Sequence, residues 1–342
     1  FLRKLSESGL FTHVAKHEMQ PGVIPYSVNS PLWSDGAHKE RFMAVPGEGA
    51  QIDFHPTKSW GFPEGTVLVK SFALESVAGD PSSRKWIETR FFTKQQGEWV
   101  GYSYAWNDEQ TDADLVDAAG RDVQIDVRTS TGQQKRNWHF PSRAECMVCH
   151  SRAANFVLGV STAQLNKDHD YGDVIDNQLR TFESLGLLKL DPRSDGVSHY
   201  RQLLIESGKS EEEADNEVSR VKATRNQRLA ATSCELLAKP PEAYDRLSDP
   251  YDERAELELR ARSYLHVNCA SCHINAGGGN AQIDLAYTRK LPGLESVGVK
   301  PLHNTFKIDD PKLIAAGAPE RSVLFHRMQT RGPGQMPPFA TE

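Results

Sequence analysis

Asn268-Cys269-Ala270-Ser271-Cys272-His273 is the stretch from which the rest of the chain is read. Two thiols two residues apart can add to the two vinyl groups of one porphyrin, and a histidine directly after the second thiol supplies the proximal ligand of the iron. Cys146-Met147-Val148-Cys149-His150 repeats the pattern upstream, so four of the five cysteines fall in two identical frames. At this chain's Cys and His frequencies, one such pattern arises by chance in on the order of a few chains per thousand of this length. Two copies point to two covalently bound c-type haems, one on Cys146 and Cys149 with His150 on iron, the other on Cys269 and Cys272 with His273. Other chemistries use the same residues. A structural zinc site takes two thiolates from Cys-x-x-Cys but does not need the histidine that follows. A Cys-x-x-Cys disulfide is a redox element of a βαβ setting, which neither copy has. Cys234, the odd thiol, reads as a small buried apolar residue, with intermolecular pairing as the alternative.

With 342 residues and a formal net charge of −6, the chain has room for two or three domains, and no Lys/Arg-rich run suggests nucleic acid. No apolar run approaches the roughly 20 residues of a membrane span. The chain opens Phe1-Leu2-Arg3-Lys4 without the apolar core of a signal peptide, which reads as a processed or cropped start. Thioether attachment normally takes place outside the cytoplasmic membrane, so a periplasmic or otherwise exported location is expected.

The expected fold class is α+β: an N-terminal antiparallel β-sandwich-like domain over 1–140, followed by mainly α-helical c-type haem domains over 141–248 and 249–342. Short runs of β-branched and aromatic residues separated by turns predict strands at Gln51 to Phe54, Thr66 to Phe72, Trp86 to Phe92, Trp99 to Trp106 and Val123 to Val127. Ser34 and Asp35 lack the partners of a hydrolase site and read as a capped turn. The acidic run from Asn107 to Asp114 lacks the Gly and Glu of a calcium loop and reads as a solvated turn. The domain is therefore expected to be a platform, packed against the first haem through a short connection.

Downstream, Ser142 with Glu145 predicts a capping box at the start of the first motif's helix. Leu165, Leu179, Phe182, Leu185 and Leu188 predict one or two helices, and Ser210 with Glu213 opens a polar helix to about Lys239. Pro240-Pro241 then marks a linker. Asp249 and Pro250 suit the start of a helix whose face carries Leu257, Ala261, Tyr264, Leu265 and Asn268 into Cys269. Gly277-Gly278-Gly279 reads as a flexible turn.

Gly332-Pro333-Gly334-Gln335-Met336-Pro337-Pro338 is a stiff loop with one thioether, 63 residues after His273. A helix ending in Cys-x-x-Cys-His and a later Met-Pro-Pro loop resemble a class I cytochrome c. The resemblance implies His273/Met336 ligation of the second iron, with Met328 as the alternative. Class I cytochromes c continue into a C-terminal helix, whereas this chain stops at Glu342. More broadly, Pro31-Leu32-Trp33-Ser34-Asp35-Gly36-Ala37, Pro141-Ser142-Arg143-Ala144-Glu145-Cys146 and Arg262-Ser263-Tyr264-Leu265 resemble exported bacterial dihaem c-type cytochromes, some of them attached to sugar-dehydrogenase-like modules. That resemblance implies electron transfer with a redox protein or a fused or partner dehydrogenase. The alternative is a dihaem peroxidase-like or other haem enzyme with one open distal site. The distal ligand of the first haem separates the two, and His169, His139 and His266 are its candidates.

Overall fold

The computed structural model describes residues 1–47, 49–189, 201, 204–205, 208–220, 237, 239–281, 283–289 and 296–339. Its centre is a six-stranded antiparallel sheet in which each strand pairs with the next: β1 Ile24–Pro25, β2 His38–Ala44, β3 Val67–Glu75, β4 Arg84–Gln95, β5 Glu98–Trp106 and β6 Ala113–Leu115. Because side chains alternate along a strand, Val69, Phe91 and Tyr104 point to one face and pack with Leu5 and Phe11 of the N-terminal segment. That segment is tied down by the acidic run, where Asp112 accepts from Ser6 N and Oγ, and Asp114 accepts from Lys4 Nζ at 2.9 Å. Met43, Leu68 and Phe92 point the other way. They share one core with Val157, Leu165, Leu179, Phe182 and Leu188, so the core runs across residue 140.

A separate hairpin, β7 Arg121–Thr129 and β8 Gly132–Phe140, places Trp138 and Phe140 against Phe72, Leu74 and Ala37. Phe72 and Leu74, two residues apart, share this side of the sheet, and the register shift opposite Phe72 and Ala73 leaves Ile87 of β4 unpaired and packed against the same cluster.

Each of the five expected strands overlaps an observed one, but the expected fold class does not stand. Strand exceeds helix, at 28% against 22%, and the described residues after 140 are not mainly helical. Its helices include α1 Arg143–Cys149, Thr162–Leu165, α2 Gln178–Ser184, α3 Leu257–Cys269 and α4 Val323–Gln329, set among turns and short strands. The reason is visible at Leu179, Phe182, Leu185 and Leu188, which mimic one helical stripe. Leu179 and Phe182 are buried on α2, but Leu185 is 58% exposed at its C-cap, and Gly186 with φ +68 breaks the helix. Leu188 then lies on a strand paired in parallel with Ile52. Long-range sheet pairing has overridden a local helical period. The polar helix is described from Glu211 to Arg220, behind its Ser210/Glu213 capping box. Its later half and Cys234 lie outside the described residues. Among the described residues, no helix is long and apolar enough to cross a membrane.

Candidate functional site

Ser142 caps α1 as its sequence requires: Ser142 Oγ accepts from Glu145 N at 3.1 Å, and Glu145 Oε2 accepts from Ser142 N at 2.7 Å. The helix crosses β5 at Gly101. A Cβ there would come within 2.9 Å of Cys146 Sγ and 3.1 Å of Cys146 Cβ, so only glycine lets the first motif sit this close to the sheet. His150 closes the helix with its ring 4.2 Å from that of Phe92. Its Nδ1 donates to the Phe156 carbonyl at 2.6 Å, which leaves Nε2 as the lone-pair nitrogen. Burial pushes its pKa down to about 4, so the ring is neutral, as a metal ligand must be.

The second motif ends α3. Asn268 is 6% exposed; its Oδ1 accepts from Trp33 N at 2.8 Å and its Nδ2 donates to the Tyr264 carbonyl at 2.9 Å. Trp33 belongs to the Pro31–Ala37 loop, where Ala37 N closes a turn on Ser34 O at 2.9 Å and Asp35 takes φ +50. Asp tolerates that left-handed conformation. The loop therefore docks the β-rich region onto the second motif, a role the sequence did not suggest. Cys269 follows, buried. His273 is wrapped by the glycine turn: a Cβ on Gly279 would meet His273 Nδ1 at 2.5 Å, and one on Gly277 would meet the Cys272 carbonyl at 2.2 Å. Close packing, rather than flexibility, is what these glycines provide. His273 Nδ1 is buried without a hydrogen-bond partner at normal geometry. Burial holds the ring below its ordinary pKa against a weaker pull from the Ala281 backbone.

The two motifs meet. Cys272 Sγ lies 3.8 Å from the Val148 carbonyl, and the interaction of the two thiols pulls the Cys272 pKa down and pushes that of Cys149 up.

The other expected ligands are placed as follows. Met336 N donates to Arg327 O at 3.1 Å, and Arg327 Nη1 donates to Gly334 O at 2.9 Å. The loop is thus tied to α4 by a residue whose charge also reaches His273. Met328 instead lines an apolar groove of about 370 Å³ between α3 and α4, with Tyr264, Leu265 and Phe325. His169 sits on a short hairpin, its Nδ1 3.1 Å from Ser27 Oγ and its ring against Tyr171; its described partners are these rather than any residue of Cys146–His150. His139 has both ring nitrogens engaged by carboxylates, with Asp122 at 2.6 Å and Glu145 at 3.1 Å. Its ring also faces that of Phe339, just past the Met336 loop, at 6.5 Å. His266 accepts from Tyr287 N at 3.3 Å, and burial lowers its pKa to about 4.

The donor set fits a c-type haem at each motif: free thiols in the attachment frame, a neutral imidazole with Nδ1 anchored at His150, and a glycine cradle around His273. Among the described residues, no three His, Cys, Asp or Glu side chains converge as a protein-only metal site requires; a haem iron needs only one or two. Comparison with protein-family models, with curated proteins and with solved structures finds no match to the chain.

Proposed function

We propose that the chain is a dihaem c-type cytochrome that carries single electrons from a dehydrogenase to a downstream acceptor. The observation that carries this reading is the meeting of the two Cys-x-x-Cys-His segments, with Cys272 Sγ 3.8 Å from the Val148 carbonyl. Segments that meet in this way would bring the two haems close together, and electron tunnelling falls steeply with separation. When bound, haem iron supplies a reversible one-electron change whose potential follows its ligands and its burial.

The chain's own residues do the rest. Cys146, Cys149, Cys269 and Cys272 provide the thioether sulfurs. His150 and His273 present imidazoles that burial keeps neutral. Phe92 and Gly101 let α1 close against the sheet, which limits water around the first motif. In this reading Met336 would be the second ligand of the iron held by His273, and His169 that of the iron held by His150. A location outside the cytoplasmic membrane belongs to the same proposal, because that is where thioether attachment normally occurs.

Intact mass under denaturing conditions should show two haem additions per chain. Zinc without haem mass would overturn the reading. Met336→Ala should remove the weak charge-transfer band that a thioether ligand gives oxidised haem near the red edge of the visible spectrum, with both haems still attached. Loss of that band in Met328→Ala instead would reassign the ligand.

A further inference from the structure

The sheet face beneath α1 carries a row of like charges. Arg41 lies directly opposite Lys70, and Lys70 directly opposite Arg90, on β2, β3 and β4. Residues opposed in this way share one face, and like charges so placed repel. The next row on that face is Met43, Leu68, Phe92 and Gly101. Cys146 packs on Gly101 and His150 on Phe92. The first motif therefore sits one step of the pleat, roughly 7 Å, from the cations.

Lys39 joins the group, since Lys39, Arg41, Lys70 and Arg90 all lie within electrostatic reach of one another. Lys39 Nζ donates to the Leu32 carbonyl, while Lys70 and Arg90 stand 4.9 Å and 4.6 Å from the Phe72 ring centroid. The carboxylates in reach are Asp35 and Glu88, and Glu88 is already taken by Arg90 and Trp138. Four basic side chains against two carboxylates leave the row short of counter-charge: burial and then the neighbouring cations push the Lys70 pKa well down, and burial and Arg41 push that of Lys39 down to about 8. This is not a solvated surface: Arg90 keeps 32% of its side-chain exposure, and Lys39, Arg41 and Lys70 are half-buried. A fold that aligns three cations beside an attachment site gains from a dianion placed among them.

We propose that the Arg41–Lys70–Arg90 row, with Lys39, anchors the two propionate carboxylates of the haem held by Cys146 and Cys149. The inference rests on the haem reading above and adds the orientation of that haem, with its carboxylate edge toward β2, β3 and β4. The same chemistry would suit a free small dicarboxylate, so the test separates the two sources.

The full-length protein is produced with a cytochrome c maturation system as wild type, Lys70→Met, Arg41→Met and, as a control on the far N-terminal segment, Lys16→Met. Removing one member of a repelling row should not prevent folding, and two separate variants guard against a misfolded one. Peptide mass should find haem on Cys146/Cys149 in all four proteins. In Lys70→Met and Arg41→Met the propionate-bending band of the resonance Raman spectrum should shift and the potential of the first haem should fall, with the second haem and the Lys16→Met protein unchanged. Millimolar succinate should leave the wild-type spectrum unaltered. Absence of haem mass on the Cys146/Cys149 peptide overturns the haem reading and this inference together. Haem present with an unmoved propionate band overturns the propionate assignment alone. An unmoved band together with a succinate response that Lys70→Met abolishes makes the row a site for free carboxylate.

Discussion

Glu88→Gln probes the charge network on which the first motif rests. The Glu88 carboxylate has 0% exposure and accepts three hydrogen bonds, from Arg90 Nε at 2.7 Å, Arg90 Nη2 at 2.8 Å and Trp138 Nε1 at 3.0 Å. Glutamine keeps the shape but replaces one acceptor oxygen with a donor, so at least one of these N–H groups faces another N–H. Breaking a buried ion pair costs about 3–5 kcal/mol. Arg90 retains 32% exposure, which lets water reach the guanidinium and sets the expected loss near the lower bound, about 3 kcal/mol, or about two decades in the unfolding constant. Urea titration followed by tryptophan fluorescence measures it, with haem content matched by mass and the slope of the transition compared for both proteins. The loss should be the same at low and high salt, because a buried pair is poorly screened. A loss below about 1 kcal/mol that disappears with salt is the behaviour of a surface ion pair. It would refute the burial of this network.

Asn268→Ala removes both the acceptor of Trp33 N–H and the donor to the Tyr264 carbonyl and should destabilise the protein by about 1–3 kcal/mol in the same titration. A loss below about 0.5 kcal/mol would mean that the Pro31–Ala37 loop is held by something other than this bond. Glu40 supplies a pH test: the close imidazoles of His17, at 3.1 Å, and then His38, at 3.5 Å, outweigh its burial and hold the carboxyl down at about 2, against an ordinary 4.5. Its folded pKa lies below its unfolded one, so its contribution is complete above about pH 4.5 and lost as pH falls through about 2. The stability gap between wild type and Glu40→Gln should therefore close on acidification across that window; a gap that widens there contradicts the pairing.

The parts of the molecule that could be read in advance are those whose cause is local. The strands expected at Thr66 to Phe72 and Trp99 to Trp106 declare themselves because their β-branched and aromatic residues satisfy a half-buried pleat without outside help. The Ser142/Glu145 box did so as well, since both partners lie within one turn. The two Cys-x-x-Cys-His segments are legible as a pattern because their thiols and histidine lie within five residues of one another. What failed depends on distant partners. Leu188 looks helical until Ile52 is there to pair with it. Gly132 to Phe140 is too polar to announce a strand, and is held as one by nine residues of register with β7. The Arg41–Lys70–Arg90 row cannot be seen in a linear chain, because it exists only once three strands are in register.

The Trp33–Asn268 hydrogen bond spans 235 residues, and that span imposes an order in time. At about 5–20 residues per second of synthesis, the chain holding the Pro31–Ala37 loop emerges on the order of tens of seconds before the helix it docks on. The β-rich region can pair its own strands early, yet its lower edge stays open until α3 arrives. In a chain matured at Cys269 and Cys272 as proposed above, such a late latch would be useful: Asn268 stands next to Cys269, so the contact that joins the Pro31–Ala37 loop to α3 forms right beside those thiols.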